Sequence, residues 1–293
     1  MYRCSFLVVM YGKSFAESKT LLSLLSSKLQ YDNCNLLVWN NGPTSILFDS
    51  KFLQKFKNKG FSITFVETVD NEALAKVYNK SVGMVISEKY VFLDDDTVLN
   101  DTYLNEVLLL NGSSVSVPLV YHDSKNVGPV CNGVPVEKRG QYDSHSFIAI
   151  GSGMVLTHSL ILEFQAEYSE VFDTRFYLYG VDTTFFLRLN KLSVRPKIKV
   201  ISGFVHSLSR LENESDVTKI FRKKERAYDY ALTIRYYYST FKVVYLVFRL
   251  TLSTFFRFIL NKERVDFLSF YKGLILGRHY RHSKDKRLKK RVI

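Results

Sequence analysis

The first hundred residues alternate between short apolar runs and amphipathic stretches, and this constrains the fold more than any other feature of the chain. "CSFLVVMYG", "NLLVWNNGP" and "FSITFVET" read as strands, while "ESKTLLSLLSSKLQ" and "SKFLQKFKNKG" between them carry apolar residues at helical spacing. "NEALAKVYNKSVGMVISE" then suits a helix, and "KYVFLDDDT" is a further buried strand that ends in three acids. This βαβαβ order predicts an α/β fold: a mainly parallel sheet flanked by helices, with ligands bound beyond the carboxyl ends of the strands. The loops "YGK", "WNNGP" and "DDDT" all fall at that edge.

Residues 112–150 are richer in Gly, Pro, Ser and Val and predict loops and short strands. "SFIAIGSGMVLT" reads as a strand and turn leading into the helix-like "SLILEFQAEYSEV". "FYLYGVDTTFFLRLNKL" places Asp182 at a helix start after Gly180, and "IKVISGFVHSLS" resembles an edge strand carrying His206. Beyond about residue 212 the composition shifts to Arg, Lys, Tyr and Phe. The expected division is therefore 1–211, with halves 1–110 and 111–211, followed by a helical region over 212–293.

Charge follows the same division. The net +13 comes from the end of the chain: residues 222–293 hold 19 Lys or Arg against 5 Asp or Glu, leaving 22 against 23 before them. With 46% hydrophobic residues the chain has ample material for a core, which excludes a disordered protein. Cys4, Cys34 and Cys131 are odd in number and lack metal-knuckle spacing, so free buried thiols in a reducing, cytoplasmic setting are expected. "FLVVMY" is too short for the apolar core of a secretory signal.

Asp94, Asp95 and Asp96 repel one another unless a positive charge sits among them. A solvated turn would answer that repulsion. So would a divalent cation, because Asp-x-Asp at the ligand edge of such a sheet offers hard oxygen ligands for Mn²⁺ or Mg²⁺.

The ordered series "VVMYG", "VWNNG", "NEALAKVYNKSVG", "YVFLDDDT", "GSGMVL", "YGVDTTFFLRL" and "VHS", over roughly residues 4–210, resembles the family 2 glycosyltransferases of the GT-A fold. Within that family it is similar to the rhamnosyl-, galactofuranosyl- and galactosyl-transferases of bacterial surface polysaccharide synthesis. The resemblance implies a nucleotide-sugar site in which Tyr11 flanks the base, Asn40 and Asn41 lie beside base or ribose, and Asn71 opens the helix motif. It places Asp94 and Asp96 on metal and diphosphate, Asp95 near the sugar-nucleotide, and His206 as a further metal ligand. Asp182 is the implied base that deprotonates the acceptor hydroxyl. The implied partners are a UDP- or dTDP-sugar and a glycan, lipid-linked as in O-antigen-type biosynthesis.

Three positions depart from the family pattern: Asn40 stands for an Asp, Ala73 and Ser81 for helix glycines, and Val181 for a Glu. The residues alone also admit plainer roles. Asp182 could cap the helix "TTFFLRLNKL", His206 could be a hydrogen-bonded structural histidine, and Tyr11 and Trp39 could be core aromatics. Leaving-group stabilisation by a cation and one carboxylate base, with no second carboxylate as nucleophile, imply a single displacement with inversion. The alternatives are a GT-A-like nucleotidyltransferase and an inactive scaffold. A nucleotidyltransferase usually shows a Gly-rich basic loop, which "YGKSFAES" is not.

Arg235, Lys242, Arg249 and Arg257 interrupt the apolar stretch 233–260. On one continuous helix they would fall within about 80°, a basic stripe on an apolar cylinder. A cation at a bilayer centre costs about 2.5 kcal/mol or more, so attachment in the plane of an anionic membrane surface is expected rather than a span. The polybasic end "GRHYRHSKDKRLKKRVI" adds to that attraction. The expected location is the inner face of the cytoplasmic membrane. No nucleic-acid-binding module is recognisable, and nucleic acid is not an expected partner.

Overall fold

A computed structural model describes residues 1–47, 49–122, 125–206, 215–260 and 265–282. Its first half follows the expected alternation: β1 (Cys4–Met10), α1 (Lys19–Ser26), β2 (Cys34–Asn40), α2 (Ser50–Lys57), β3 (Phe61–Glu67), α3 (Leu74–Met84), β4 (Lys89–Asp94) and α4 (Asp101–Leu109). Strands β5 (Val115–His122), β6 (Lys125–Gly128), β7 (Val130–Cys131), β8 (Val134–Pro135), β9 (Gly140–Tyr142), β10 (Phe147–Ile148) and β11 (Met154–Thr157) come next. Helices α5 (His158–Tyr168) and α6 (Val181–Leu189), strand β12 (Ile198–Val205), and helices α7 (Asp216–Tyr237), α8 (Thr240–Ile259) and α9 (Phe267–Leu276) complete the order.

The main sheet runs β3-β2-β1-β4-β11-β5-β12-β9, with β6 paired to β5. Pairing is parallel from β3 through β4 and again between β5 and β12, while β11 is antiparallel to both of its neighbours. Strand β12 is not at the edge, as its pattern suggested, because β9 pairs along its other side.

Alternation along each strand fills the two faces of the sheet. Phe6, Val8, Leu36, Val38, Val91 and Leu93 point to a layer built with Leu21 and Leu24 of α1, Phe56 of α2 and Tyr103 of α4. Leu7, Leu37, Trp39 and Phe92 point the other way, toward Val77 and Tyr78 of α3, Phe164 of α5 and Phe185 of α6. Trp39 is thus a core residue, and its indole donates to Thr68. Cys4 and Cys34 are buried free thiols, whereas Cys131 is only half-buried because it lies on a short strand of a separate small sheet.

The C-terminal helices depart from the expected single basic stripe. The chain breaks after Tyr237, so Arg235 lies on α7 and its guanidinium donates to the Leu274 carbonyl. Lys242, Arg249 and Arg257 remain on α8. Helix α7 is tied into the main body: Leu232 joins the core, and the Tyr237 hydroxyl donates to Asp173 while accepting from Arg188. Helix α9 lies against α7 closely enough that a Cβ at Gly273 would sit 2.9 Å from Tyr228 and 3.1 Å from Ala231. Most of the terminal basic segment, residues 283–293, lies outside the described residues.

Candidate active site

Parallel register brings the three predicted loops to one edge. Met10 pairs with Asn40 and Val9 with Asp94, so the ends of β1, β2 and β4 are level. The turn Asp94–Asp96 is gripped from below by the start of α1: Ser18 Oγ donates to the Asp95 carbonyl at 3.1 Å, and the Thr20 hydroxyl donates to the carbonyl of Asp94. Thr20 Oγ1 also accepts the Thr97 amide at 3.1 Å. Ser18 and Thr20 are fully buried, which marks them as parts of this turn rather than surface helix residues.

The middle acid is already paired. Asp95 receives Lys13 Nζ at 2.5 Å and the Tyr11 amide at 3.0 Å, so its carboxylate joins the β1 loop to the acidic turn. The flanking acids face His206, which follows β12: Nε2 is 3.9 Å from Asp94 Oδ2 and Nδ1 is 3.6 Å from Asp96 Oδ1. One ligand atom from each of these three residues lies within 4.8 Å of the others. Asp96 Oδ1 is buried and accepts no hydrogen bond among the described residues. Two carboxylates and an imidazole, with one oxygen left unbonded, fit a divalent cation.

The histidine is held from behind. Its Nδ1 is 2.9 Å from Thr97 Oγ1, which is 2.8 Å from Ser152 Oγ, and Ser152 Oγ accepts the Asp94 amide at 3.1 Å. If Nδ1 carries the proton and donates it to Thr97, the lone pair of Nε2 is left on the side of Asp94. The Thr97 and Ser152 hydroxyls therefore link the imidazole back to the strand end that bears Asp94.

Burial first, then the charges of Asp96, Asp95 and Asp182, push the Asp94 carboxyl up to about 8. Its side chain keeps solvent access on one side while protein atoms crowd it on the others. Asp96 is also raised, again by burial, with His206 pulling in the opposite direction. Carboxylates part-way to protonation are those a cation would restore to the charged form.

Asp182 lies in the first turn of α6 and is half-buried. The cap of that helix is Gly180 at φ +78, so Asp182 is not the N-cap; its Oδ1 accepts the Thr183 amide at 2.8 Å. Asp182 lies within electrostatic reach of Asp94. The buried Tyr78 lies near both carboxylates: burial, then Asp94 and Asp182, hold its phenol well above its ordinary value. Asp182 thus lies near the acidic turn.

The predicted base-side residues are placed differently. Tyr11 is about half exposed at the rim. Asn40 and Asn41 reach the correct edge, but their side chains are buried and engaged. Asn40 Nδ2 donates to Thr44 O and Glu67 Oε2, and its Oδ1 accepts the Gly42 amide. Asn41 Nδ2 donates to Glu72 O, and its Oδ1 accepts from Thr68 and the Glu72 amide. Both amides hold the loops after β2 and β3 together. Asn71 sits in that second loop at φ +53, and its carbonyl accepts from Arg281 of the C-terminal segment.

No protein-family model matches this sequence, and no curated protein matches it. Solved structures do share the fold. S. aureus TarS 1–349 matches with a TM-score of 0.54 and 13% identity over 78% of this chain and 64% of that one. The same piece in complex with UDP gives 0.50 and 14% over 79% and 72%, and longer TarS gives 0.50 and 13% over 80% and 44%. This chain therefore spans less than two thirds of the first of these and under half of the longer one. At such identity the likeness is one of architecture, and it assigns to this chain a GT-A-like α/β fold with a mostly parallel sheet flanked by helices.

Proposed function

We propose that the protein is a nucleotide-sugar-dependent glycosyltransferase, inverting and divalent-cation-dependent. The observation that carries this reading is the grouping of Asp94, Asp96 and His206, with Asp182 within electrostatic reach, at the carboxyl edge of a GT-A-like sheet. The TarS complex, a structure of the same fold, holds UDP, which supports a nucleoside diphosphate as the donor's leaving portion. Following the sequence resemblance, the donor is a UDP- or dTDP-sugar. The acceptor is a hydroxyl of a glycan, lipid-linked in O-antigen-type polysaccharide synthesis.

Asp94, Asp96 and His206 Nε2 would hold Mn²⁺ or Mg²⁺. The cation, when bound, supplies positive charge against the diphosphate that departs. Lys13 and the Tyr11 amide engage the two oxygens of Asp95, so the two outer carboxylates are those left for the cation, with Asp95 between them near the sugar-nucleotide. Asp182 takes the proton of the acceptor hydroxyl as the oxygen bonds to the anomeric carbon. The carbon–oxygen bond to the diphosphate breaks, and the diphosphate leaves with the electron pair. One displacement inverts the anomeric centre.

Titration calorimetry with UDP and Mn²⁺, followed by assay of a panel of nucleotide-sugars for hydrolysis or transfer, tests this reading. Asp182→Asn should keep UDP and Mn²⁺ binding while losing about 10²–10⁴-fold in turnover. Full turnover by that variant would remove Asp182 as the base. Absence of cation-dependent nucleotide binding by the wild type would favour the inactive scaffold.

A further inference from the structure

Helix α8 packs by one side only. Leu246, Val247 and Leu250 lie against the small core formed by α7 and α9. Phe241, Val244, Tyr245, Phe248, Leu252 and Phe255 point outward and are exposed, Phe241 at 91% and Phe248 at 63%. At about 100° per residue these six fall within about 100° of arc. Lys242 and Arg249 border one side of the arc, and Arg257 lies farther round near the end of the helix. The helix contains no Asp or Glu. Leu268 and Ile275 of α9 add further exposed apolar surface.

A continuous apolar face of this size is not left to water without a partner. Its rim identifies that partner. A second copy of the chain would bring like-charged rims together, with no carboxylate on either α8 to neutralise them. An anionic lipid surface offers acyl chains to the aromatic arc and phosphates to Lys242 and Arg249. No helix among the described residues is long and apolar enough to cross a membrane. An interfacial posture meets both the arc and the rim.

We propose that the outward face of α8 docks on an anionic bilayer, with the helix in the membrane plane and its phenylalanines at the headgroup–acyl boundary. The attachment rests on α8 alone and not on the transferase reading, so either can fail without the other.

The test is flotation of the full chain with vesicles of phosphatidylcholine containing 30 mol% phosphatidylglycerol, against pure phosphatidylcholine. The protein should float with the first and remain below with the second. Lys242→Gln with Arg249→Gln should weaken partitioning about 25-fold, near fivefold per cation removed. Phe248→Ser with Phe255→Ser should abolish it. Because the altered residues are exposed, the melting temperature should stay at the wild-type value. Tyr245→Trp supplies an independent readout, with emission shifting to the blue on anionic vesicles. The proposal is overturned if the Phe248, Phe255 double variant floats as well as wild type, which would assign binding to the basic terminus. It is equally overturned if wild type ignores the vesicles but sediments as a dimer that the same variant dissolves.

Discussion

Lys13 Nζ lies 2.5 Å from Asp95 Oδ1, so the central charge of the acidic run is met by a residue of the β1 loop, 82 positions earlier in the chain. Two acids are thereby left for a cation rather than three. Lys13→Met should expose this division: Asp95 loses its charged partner and keeps the Tyr11 amide. The lysine is one third exposed, so the cost should be about 1 kcal/mol, or a melting temperature lower by about 2–4 °C. Lys13→Arg should recover most of it. An unchanged melting temperature in Lys13→Met would show that the pair contributes nothing.

Thr97→Val removes the hydroxyl that faces His206 Nδ1 while keeping the shape of the side chain. The hold of the Thr97 hydroxyl on the Nδ1 tautomer is then lost. Mn²⁺ affinity, read by calorimetry without nucleotide, should fall about 10–100-fold, with a smaller effect on the folded fraction. Thr97→Ser should restore it.

The elevated Asp94 carboxyl fixes a pH dependence. Held at about 8 in the folded chain and near 4 when unfolded, it binds a proton preferentially in the folded state between those values. Its contribution to stability is therefore complete below about pH 4 and is lost as pH rises through 8. Without divalent cations, thermal unfolding should show a melting temperature that falls between pH 6 and pH 8.5, and Asp94→Asn should flatten that slope. Added Mn²⁺ should stabilise the wild type more at pH 8.5 than at pH 6.

Gly180 joins the site to the C-terminal helices. At φ +78, a Cβ there would collide with the Asp229 carboxylate on α7 and stand 2.6 Å from the Phe176 ring. Gly180→Ala should destabilise the chain by about 1–3 kcal/mol by chemical denaturation. Because Asp182 begins two residues later, turnover should fall further than stability alone explains. Asp229→Ala in the same background should relieve part of both losses.

The sheet was legible because strand and helix periods differ and because the acids interrupt an apolar strand at its end. Asp94 and Asp96 could be nominated because they end an apolar strand, whereas Asp182, at a helix start, and His206 were nominated through the family resemblance of the motifs that carry them. The roles of Lys13, Ser18 and Thr20 were not legible, since their hydrogen bonds reach across 74 or more positions and leave no local spacing signal. Asn40 and Asn41 show the opposite limit. Their place at the end of β2 was readable, but the bonds that occupy their amides come from the end of β3, the loop after it and the turn after β2, which no periodicity records. The break at Tyr238 was hidden because the apolar pattern continues across it while the backbone there turns extended, at φ −114 and ψ 154.

Thr97 and His206 meet although 109 positions separate them in the chain. In the sheet, β4 and β12 are kept apart by β11 and β5, and β11 enters between β4 and β5 against their direction. The imidazole reaches the acids only after those four strands have taken their places. During refolding, high-affinity Mn²⁺ uptake should therefore appear with the last cooperative phase, making the ion a reporter of completed assembly.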